Sequence, residues 1–205
     1  MNIAKIERST TVDRVVTALR KAMFDGDLVP GEPLREVSLS KNLGVARSTI
    51  REALRVLATD GLVVRMPNRI LAVRHLTSAE IEDIFAARLV LERAAARAAA
   101  HCPESLLHAF SDAFDAYREA ASSGDASRVA TAHVEFHAAM VRLTGSQRLA
   151  EAEAALMRDM ELVIAMIDKS SDDLPKELDK HRILRDLFCR RMVPEAIECL
   201  EADLN

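Results

Sequence analysis

The sequence predicts a mainly α-helical protein, in which an N-terminal winged helix-turn-helix is followed by a C-terminal antiparallel all-α bundle. Apolar residues recur at helical spacing along most of the chain, and short runs of β-type pattern lie within residues 62–73. Alanine and leucine are abundant while aromatic residues make up 3% of the chain, which favours helices over a sandwich or barrel. Because the pattern changes near residue 75, we expect one domain at 1–75 and another at 76–205.

The first domain is expected to contain three helices and a hairpin. Thr10 and Asp13 have the spacing of a capping box at the first helix, and a glycine follows each of the three helices. The second helix should bury Val37, Leu39 and Leu43 in part. The predicted helices span 10–26, 36–43 and 47–60, and the predicted strands span 62–65 and 70–73, with a turn between them. This order of elements is that of a winged helix-turn-helix.

The second domain is expected to contain six helices. Thr77 and Glu80 form another capping box where it begins, and the breaks between helices carry proline, glycine or serine. Short connections of this kind favour antiparallel neighbours in a bundle. The predicted helices span about 78–101, 104–122, 126–143, 146–168, 175–191 and 194–204.

Charge is distributed unevenly between the two domains. Residues 1–76 hold 13 Lys+Arg and 8 Asp+Glu, a net charge of +5, whereas residues 77–205 hold 15 and 24, a net charge of -9. A basic first third on an acidic body indicates that the first third meets a polyanion. The three cysteines lack paired spacing and the N-terminus lacks a signal-peptide pattern, so we expect reduced thiols, a cytoplasmic protein and no membrane span.

Short polar and basic side chains open the third predicted helix. Arg47, Ser48, Thr49 and Arg51 follow a Gly-Val turn, where a helix that enters the major groove places the side chains that reach bases and phosphates. The helix N-terminus adds partial positive charge. Arg69, at the tip of the wing, is placed to contact the minor groove or the backbone. An ordinary solvated helix face is the alternative interpretation of these arginines.

The first 75 residues resemble the GntR family of transcriptional regulators. The residues that carry the resemblance include Gly26-Asp27-Leu28-Val29-Pro30-Gly31, Gly44-Val45-Ala46-Arg47-Ser48-Thr49-Ile50-Arg51-Glu52-Ala53-Leu54 and Gly61-Leu62-Val63. The resemblance implies a homodimer that binds double-stranded operator DNA in a sequence-specific manner. It assigns DNA contacts to seven residues: Arg35, Arg47, Ser48, Thr49, Arg51, Asn68 and Arg69.

Three positions depart from the family's pattern. Ala46 replaces a Ser or Thr that would cap the recognition helix, and loss of such a cap costs roughly 1 kcal/mol. Val37 stands where many members carry Arg, and Ile70 stands where the wing usually has Gly. We expect these changes to alter the operator sequence rather than to prevent DNA binding.

The second domain resembles the helical FCD effector domain of the FadR-type branch, in its shorter, VanR-like form with six helices. The resemblance places Arg88 toward a ligand cavity, where it would pair with the carboxylate of a small organic or sugar acid. Ser146 and Gln147 are expected to line the same cavity. The alternative for Arg88 is a simple intrahelical ion pair with Glu92.

Histidines indicate a metal site in the second domain. His133 and His137 lie four residues apart on one predicted helix and therefore face the same way, while His181 and Asp203 lie on two later helices. Many FCD domains hold a divalent metal with an Asp and a His four apart and then two further His. Here the first and last positions are exchanged, so the resemblance implies the set His133, His137, His181 and Asp203, suited to Zn²⁺, Ni²⁺, Mn²⁺ or Fe²⁺. A chance pair of histidines is the alternative.

Together these features predict a transcriptional repressor that responds to a small carboxylate metabolite and is not an enzyme. A metal-responsive regulator, in which the metal is itself the signal, is the first alternative. A metal-dependent helical enzyme fused to a DNA-binding module is disfavoured, because the sequence shows no paired nucleophile and base and has only six glycines. A helical interaction protein with no DNA role would leave the run 44–54 unexplained.

Overall fold

The computed structural model describes residues 10–67, 69–170 and 174–202, and the chain divides into the units Met1–His75 and Leu76–Asn205. The described part of the first unit contains three helices and a two-stranded sheet. They are α1 (Thr11–Phe24), α2 (Glu36–Leu43), α3 (Arg47–Thr59), β1 (Val63–Arg65) and β2 (Leu71–Val73). The mainly helical fold class and the order of its elements are thereby confirmed.

The core of the first unit lies between α1 and α3. Thr10 and Asp13 form the predicted capping box at the start of α1. One face of α3 buries Ile50, Leu54 and Leu57 completely, and α1 packs against α3. Because these apolar residues recur at helical spacing, the opposite face of α3 is left to solvent.

The hairpin that follows α3 is short. Strand β1 pairs with β2 in antiparallel register, with Val63 opposite Val73 and Arg65 opposite Leu71. Its turn is closed by the amide of Arg69, which donates to the carbonyl of Met66 at 2.8 Å. Arg69 has a φ of 65°, a left-handed conformation that glycine adopts at lower cost.

Helix α2 is less buried than its sequence predicts. Val37 is 61% exposed and Leu43 is 38% exposed. The expectation that these two side chains are partly buried is therefore wrong. Leu39 is half-buried. The physical reason is that α2 spans only eight residues and packs mainly on α3, so it has one narrow contact face.

The described part of the second unit contains the six predicted helices. They are α4 (Ser78–Ala99), α5 (Glu104–Ala121), α6 (Ala126–Arg142), α7 (Gln147–Ser170), α8 (Leu174–Cys189) and α9 (Val193–Ala202). Helix α6 contacts α4, α5 and α7, so it forms the centre of the bundle. Across the described residues, no helix has the length and apolar character needed to cross a membrane.

Aromatic side chains fill the bundle core around α6. Phe136 is fully buried, and its ring lies 5.0 Å from that of Phe110 and 5.9 Å from that of Phe114. Burial of such rings is the main source of stability in a bundle of this size. Because α6 is surrounded by other helices, polar side chains on its inner face must find partners inside the protein.

Candidate nucleic-acid interface and metal centre

The N-terminal end of α3 presents the side chains that the sequence predicts to read DNA. Arg47, Ser48 and Arg51 are exposed and Thr49 is half-buried. Ala46 precedes them, and no side chain in the described part of the chain caps this helix end. The amide of Thr49 already donates to the Ala46 carbonyl at 3.0 Å, so the amides of Arg47 and Ser48 are those that an external acceptor such as a phosphate can use.

The two arginines of this surface share a carboxylate on α2. Arg51 donates to Glu36 through Nε at 3.0 Å and through Nη2 at 2.9 Å, and Arg47 lies 3.8 Å from the same carboxylate. The hydrogen bond from Arg51 lowers the pKa of Glu36. A guanine edge would bind the same two N–H groups of Arg51 that Glu36 binds here. A base or a phosphate could therefore replace Glu36 as the partner of this exposed arginine.

The remaining predicted DNA contacts lie on two other elements. Arg35 is the exposed residue immediately before α2. Arg69 is exposed at the tip of the hairpin, while Asn68 lies outside the described residues. Within the described residues, the predicted DNA contacts thus lie at the start of α2, at the start of α3 and on the wing.

Three imidazoles converge inside the bundle of the second unit. The Nε2 atoms of His133, His137 and His181 form a triangle with sides of 3.0, 3.1 and 3.2 Å. His133 and His137 come from consecutive turns of α6, as their spacing predicts, and His181 comes from α8. All three are buried.

The outer nitrogens of two of these rings define where their protons lie. The Nδ1 atom of His137 lies 2.7 Å from the Glu92 carboxylate and 3.0 Å from Nη2 of Arg88, and Nδ1 of His181 lies 2.6 Å from the Glu177 carbonyl. Because an ionised carboxylate and a carbonyl only accept, we assign the proton of each ring to Nδ1. Each ring therefore keeps a lone pair on Nε2, and these lone pairs face each other across 3.2 Å. Two facing lone pairs repel unless a proton or a cation lies between them.

Burial keeps His133 and His137 neutral, which is the form that binds a metal. It lowers the pKa of His133 well below its ordinary value, and the charges of His181, His137 and Arg88 act in the same direction. Burial and Arg88 lower the pKa of His137 to about 4, although Glu92 opposes them. A proton is therefore a poor occupant of the triangle near neutral pH, and a divalent cation is a better one.

The size of the triangle fits a metal ion. Nitrogen ligands lie about 2.0–2.1 Å from zinc, so three of them stand about 2.8–3.4 Å apart for angles between octahedral and tetrahedral values. The observed sides of 3.0–3.2 Å lie within that range. The carboxylate and carbonyl partners of His137 and His181 are the outer contacts that metal-ligating histidines usually make.

A buried ionic cluster adjoins the triangle. Arg88 donates to Glu92 through Nη2 at 2.8 Å and to Glu153 through Nε at 3.0 Å. Burial would raise the pKa of Glu92, but Arg88 and His137 outweigh it and lower that pKa to about 2. The predicted intrahelical pair between Arg88 and Glu92 does form, but it lies in the interior, where it connects α4 to His137 on α6.

Glu153 is the member of this cluster that sequence reasoning missed. It lies on α7, is fully buried, and has its pKa raised to about 8 by burial and by the charge of Glu92, against the effect of Arg88. Its spacing carried a usable signal, because Ala150, Met157 and Met160 mark the buried face of the same helix. A glutamate on such a face needs a hydrogen-bond partner inside the protein and tends to keep its proton.

A cavity of about 220 Å³ opens beside the histidines. Its polar side chains are His133, His137, His181, Arg88, Glu92, Glu177 and Lys180, and its apolar side chains are Phe85, Leu89, Met160, Ile164, Leu184 and Leu200. Arg88 therefore lies at the cavity, in agreement with its predicted position.

Other predicted site residues lie elsewhere. Ser146 immediately precedes α7, where its hydroxyl accepts from the amide of Leu149, and exposed Gln147 donates to Glu151. Neither lines the cavity, so the expectation that they do is wrong. Helix α7 reaches the cavity only about four turns later, at Met160. Asp203 lies outside the described residues.

The fold and the site together define a class: a winged helix-turn-helix regulator that carries a helical domain with a cavity beside three buried histidines. Residues 11–73 match the family model of the bacterial regulatory proteins of the gntR family, and residues 83–205 match the FCD domain. The chain belongs to the GntR family of transcriptional regulators with an FCD domain. Members of this family bind operator DNA.

Known proteins support this membership across nearly the whole chain. A probable D-xylose utilization operon transcriptional repressor from Paenarthrobacter nicotinovorans is 29% identical over 89% of this chain and 80% of its own. A gluconate operon transcriptional repressor from Bacillus licheniformis is 37% identical over 42% of this chain and 35% of its own. The crystal structure of a GntR regulator from Rhodococcus sp. RHA1 has a TM-score of 0.70 and 29% identity, covering 94% and 93% of the two chains.

Proposed function

We propose that this protein is a homodimeric transcriptional repressor whose affinity for operator DNA changes when its metal-containing helical domain binds a small carboxylate. The observation that carries the proposal is the triangle of Nε2 atoms beside buried Arg88, in a cavity of a chain that also holds a DNA-binding unit. The repressive sign is suggested by the relatives named as repressors.

The metal would be held by His133, His137 and His181, with Asp203 proposed as a fourth ligand. Zn²⁺, Ni²⁺, Mn²⁺ and Fe²⁺ all accept three imidazoles and a carboxylate. When bound, the ion supplies a Lewis-acidic position to which an anionic oxygen can bind. Glu92 holds the ring of His137 in the tautomer that directs Nε2 inward.

A carboxylate is the favoured effector because of the charge balance in the cavity. Arg88 and Glu92 offset each other, and burial keeps His133 and His137 neutral, so the charge of a divalent ion would call for an anion. Arg88 already uses Nε and Nη2 for the glutamates. An effector would therefore bind this guanidinium through Nη1, because Glu153 and Glu92 already bind Nε and Nη2.

In the first unit, Arg47, Ser48, Thr49 and Arg51 are proposed to read the major groove, while Arg35, Asn68 and Arg69 contact the backbone or the minor groove. A homodimer would place two such surfaces on the half-sites of a near-palindromic operator. The exposed start of α3, with its uncapped N–H groups, supports this arrangement.

A metal-responsive regulator is the second candidate. The observation that favours it is that His137 and His181 already have outer partners, Glu92 and Glu177, without any organic ligand. In this case metal alone would set the affinity for DNA, whereas in the first proposal an acid changes that affinity at constant metal.

One titration separates these functions. Protein purified without an affinity tag is added to a labelled duplex from beside its own coding region, with and without Zn²⁺ and with and without a panel of small acids. The proposal expects salt-sensitive binding that changes with an acid only when metal is present. Binding that follows metal but no acid supports the second candidate, and binding that ignores both overturns the two sensing functions.

The metal site has a separate test in the content of bound metal. His137→Ala is expected to weaken binding of Zn²⁺ by more than about 100-fold, because loss of a direct ligand exceeds the effect of losing an outer partner. His108→Ala is the matched control, since His108 is exposed on α5. Equal metal content and equal affinity in the two variants would remove the triangle as the site.

A further inference from the structure

The apolar part of the cavity restricts which acids can act as effectors. Phe85, Leu89, Met160 and Ile164 line it from α4 and α7, together with Leu184 from α8. Of these, Phe85, Leu89 and Ile164 are only half-buried, so their apolar surface still meets solvent at the cavity. A ligand that covers this surface gains the hydrophobic contribution of that area.

Apolar residues lie before the ionic residue on α4 and after it on α7, and Phe85, Met160 and Ile164 belong to one apolar cluster. On α4, Phe85 lies one turn before Arg88 and Leu89, and the side chain of Arg88 covers the Phe85 ring at 5.5 Å. On α7, Met160 and Ile164 lie two and three turns after Glu153. The ionic cluster therefore marks one end of the cavity wall, and an apolar stretch extends away from it.

The polar groups that line the cavity are already engaged with one another. Arg88 and His137 both contact Glu92, and Lys180 donates to Glu177 at 2.8 Å, while the Nε2 atoms of the three histidines would be bound to the metal. The hydroxyl groups of a sugar acid would have to break these contacts or remain without partners, and both choices weaken binding. A hydrocarbon body makes no such demand.

We infer that the cavity selects a small monocarboxylate with a branched or aromatic apolar body over a polyhydroxylated acid of equal carbon number. The inference rests on the proposed function, since the same carboxylate site anchors the ligand. A cavity of about 150 Å³ is large enough to bind benzene, and this cavity has a volume of about 220 Å³. This size suits acids of six or seven carbons, such as 4-methylpentanoate or benzoate.

The test compares two six-carbon acids, 4-methylpentanoate and D-gluconate, by calorimetric titration of the full chain supplied with Zn²⁺. Acetate is the control acid, because it has the carboxylate but lacks the larger apolar group. Each buried CH₂ improves affinity several-fold, so 4-methylpentanoate is expected to bind at least about tenfold more tightly than either D-gluconate or acetate.

Two neighbouring substitutions on α4 locate the effect. Leu89→Gln, at the cavity, should reduce the advantage of 4-methylpentanoate over acetate by about tenfold, and the ratio of the two affinities within the same variant measures this loss. Val90→Gln, at a position that is 66% exposed, should change neither affinity.

The outcomes separate this inference from the proposed carboxylate sensing on which it rests. If D-gluconate binds as tightly as 4-methylpentanoate, or if Leu89→Gln and Val90→Gln behave alike, the apolar selection is overturned and carboxylate sensing stands. If the Zn²⁺-supplied protein binds none of the acids, including benzoate, both are overturned.

Discussion

Two arginine–carboxylate groups show how differently the two units of this protein use the same chemistry. On the first unit Arg51 forms two hydrogen bonds with Glu36, and their side chains are 52% and 25% exposed. In the second unit Arg88 joins Glu92 and Glu153, and the three side chains are at most 8% exposed. Water screens the first pair, so Arg51 can exchange Glu36 for another partner. In the second group, a change of partner would leave a buried charge without an opposite charge, which costs several kcal/mol.

Removal of the buried guanidinium should give the largest effect. Arg88→Ala leaves buried Glu92 without its cation, so the free energy of unfolding is expected to fall by about 3–5 kcal/mol. The measurement is urea unfolding followed by circular dichroism. Arg118→Ala is the control in the same unit, because Arg118 forms an exposed pair with Asp115 and should change stability by less than about 1 kcal/mol. Equal losses in the two variants would refute the distinction between buried and exposed pairs.

The exposed arginines should affect DNA binding rather than stability. Arg47→Ala and Arg51→Ala are each expected to weaken specific operator binding by about 1–3 kcal/mol, while unfolding changes little. Fluorescence anisotropy with a labelled duplex measures the affinity. Arg55→Ala is the matched control on the same helix, since Arg55 is exposed and paired with Glu52 near the other end of α3. An Arg55→Ala loss as large as the other two would mean that net charge alone accounts for binding.

Glu92 connects the ionic cluster to the histidines. Glu92→Gln keeps the size of the side chain but removes the carboxylate that accepts from His137, so Zn²⁺ affinity is expected to fall by about 10–100-fold. Competition with a chromogenic chelator measures this change. Glu82→Gln, at an exposed position on the same helix, should leave affinity unchanged. Unaltered Zn²⁺ affinity in Glu92→Gln would show that the tautomer of His137 is set by another group.

The comparison also explains what the sequence could predict. The start of α3 is a local feature, so a run of neighbouring residues was enough to indicate Arg47 and Arg51 as exposed. The pairing of His133 with His137 follows from helical spacing alone. The contacts of Glu153 and the position of Ser146 depend on which faces of α4, α6 and α7 meet. Helical periodicity says which side of a helix is buried, but the packing of other helices decides which residues it contacts.

The smallest expected effect tests the local logic of α3 itself. Ala46 precedes this helix with an extended conformation, φ -64° and ψ 147°, and offers no hydroxyl to the first turn. Ala46→Ser should stabilise the first unit by about 1 kcal/mol, because a serine side chain at this position accepts from a first-turn amide. Thermal unfolding measures the gain, with Ala46→Val as a control that adds a side chain but no acceptor. If Ala46→Ser also weakens operator binding, the N–H groups at the start of α3 bind a DNA phosphate. The absence of a cap then lowers stability at this helix end but increases the affinity for DNA.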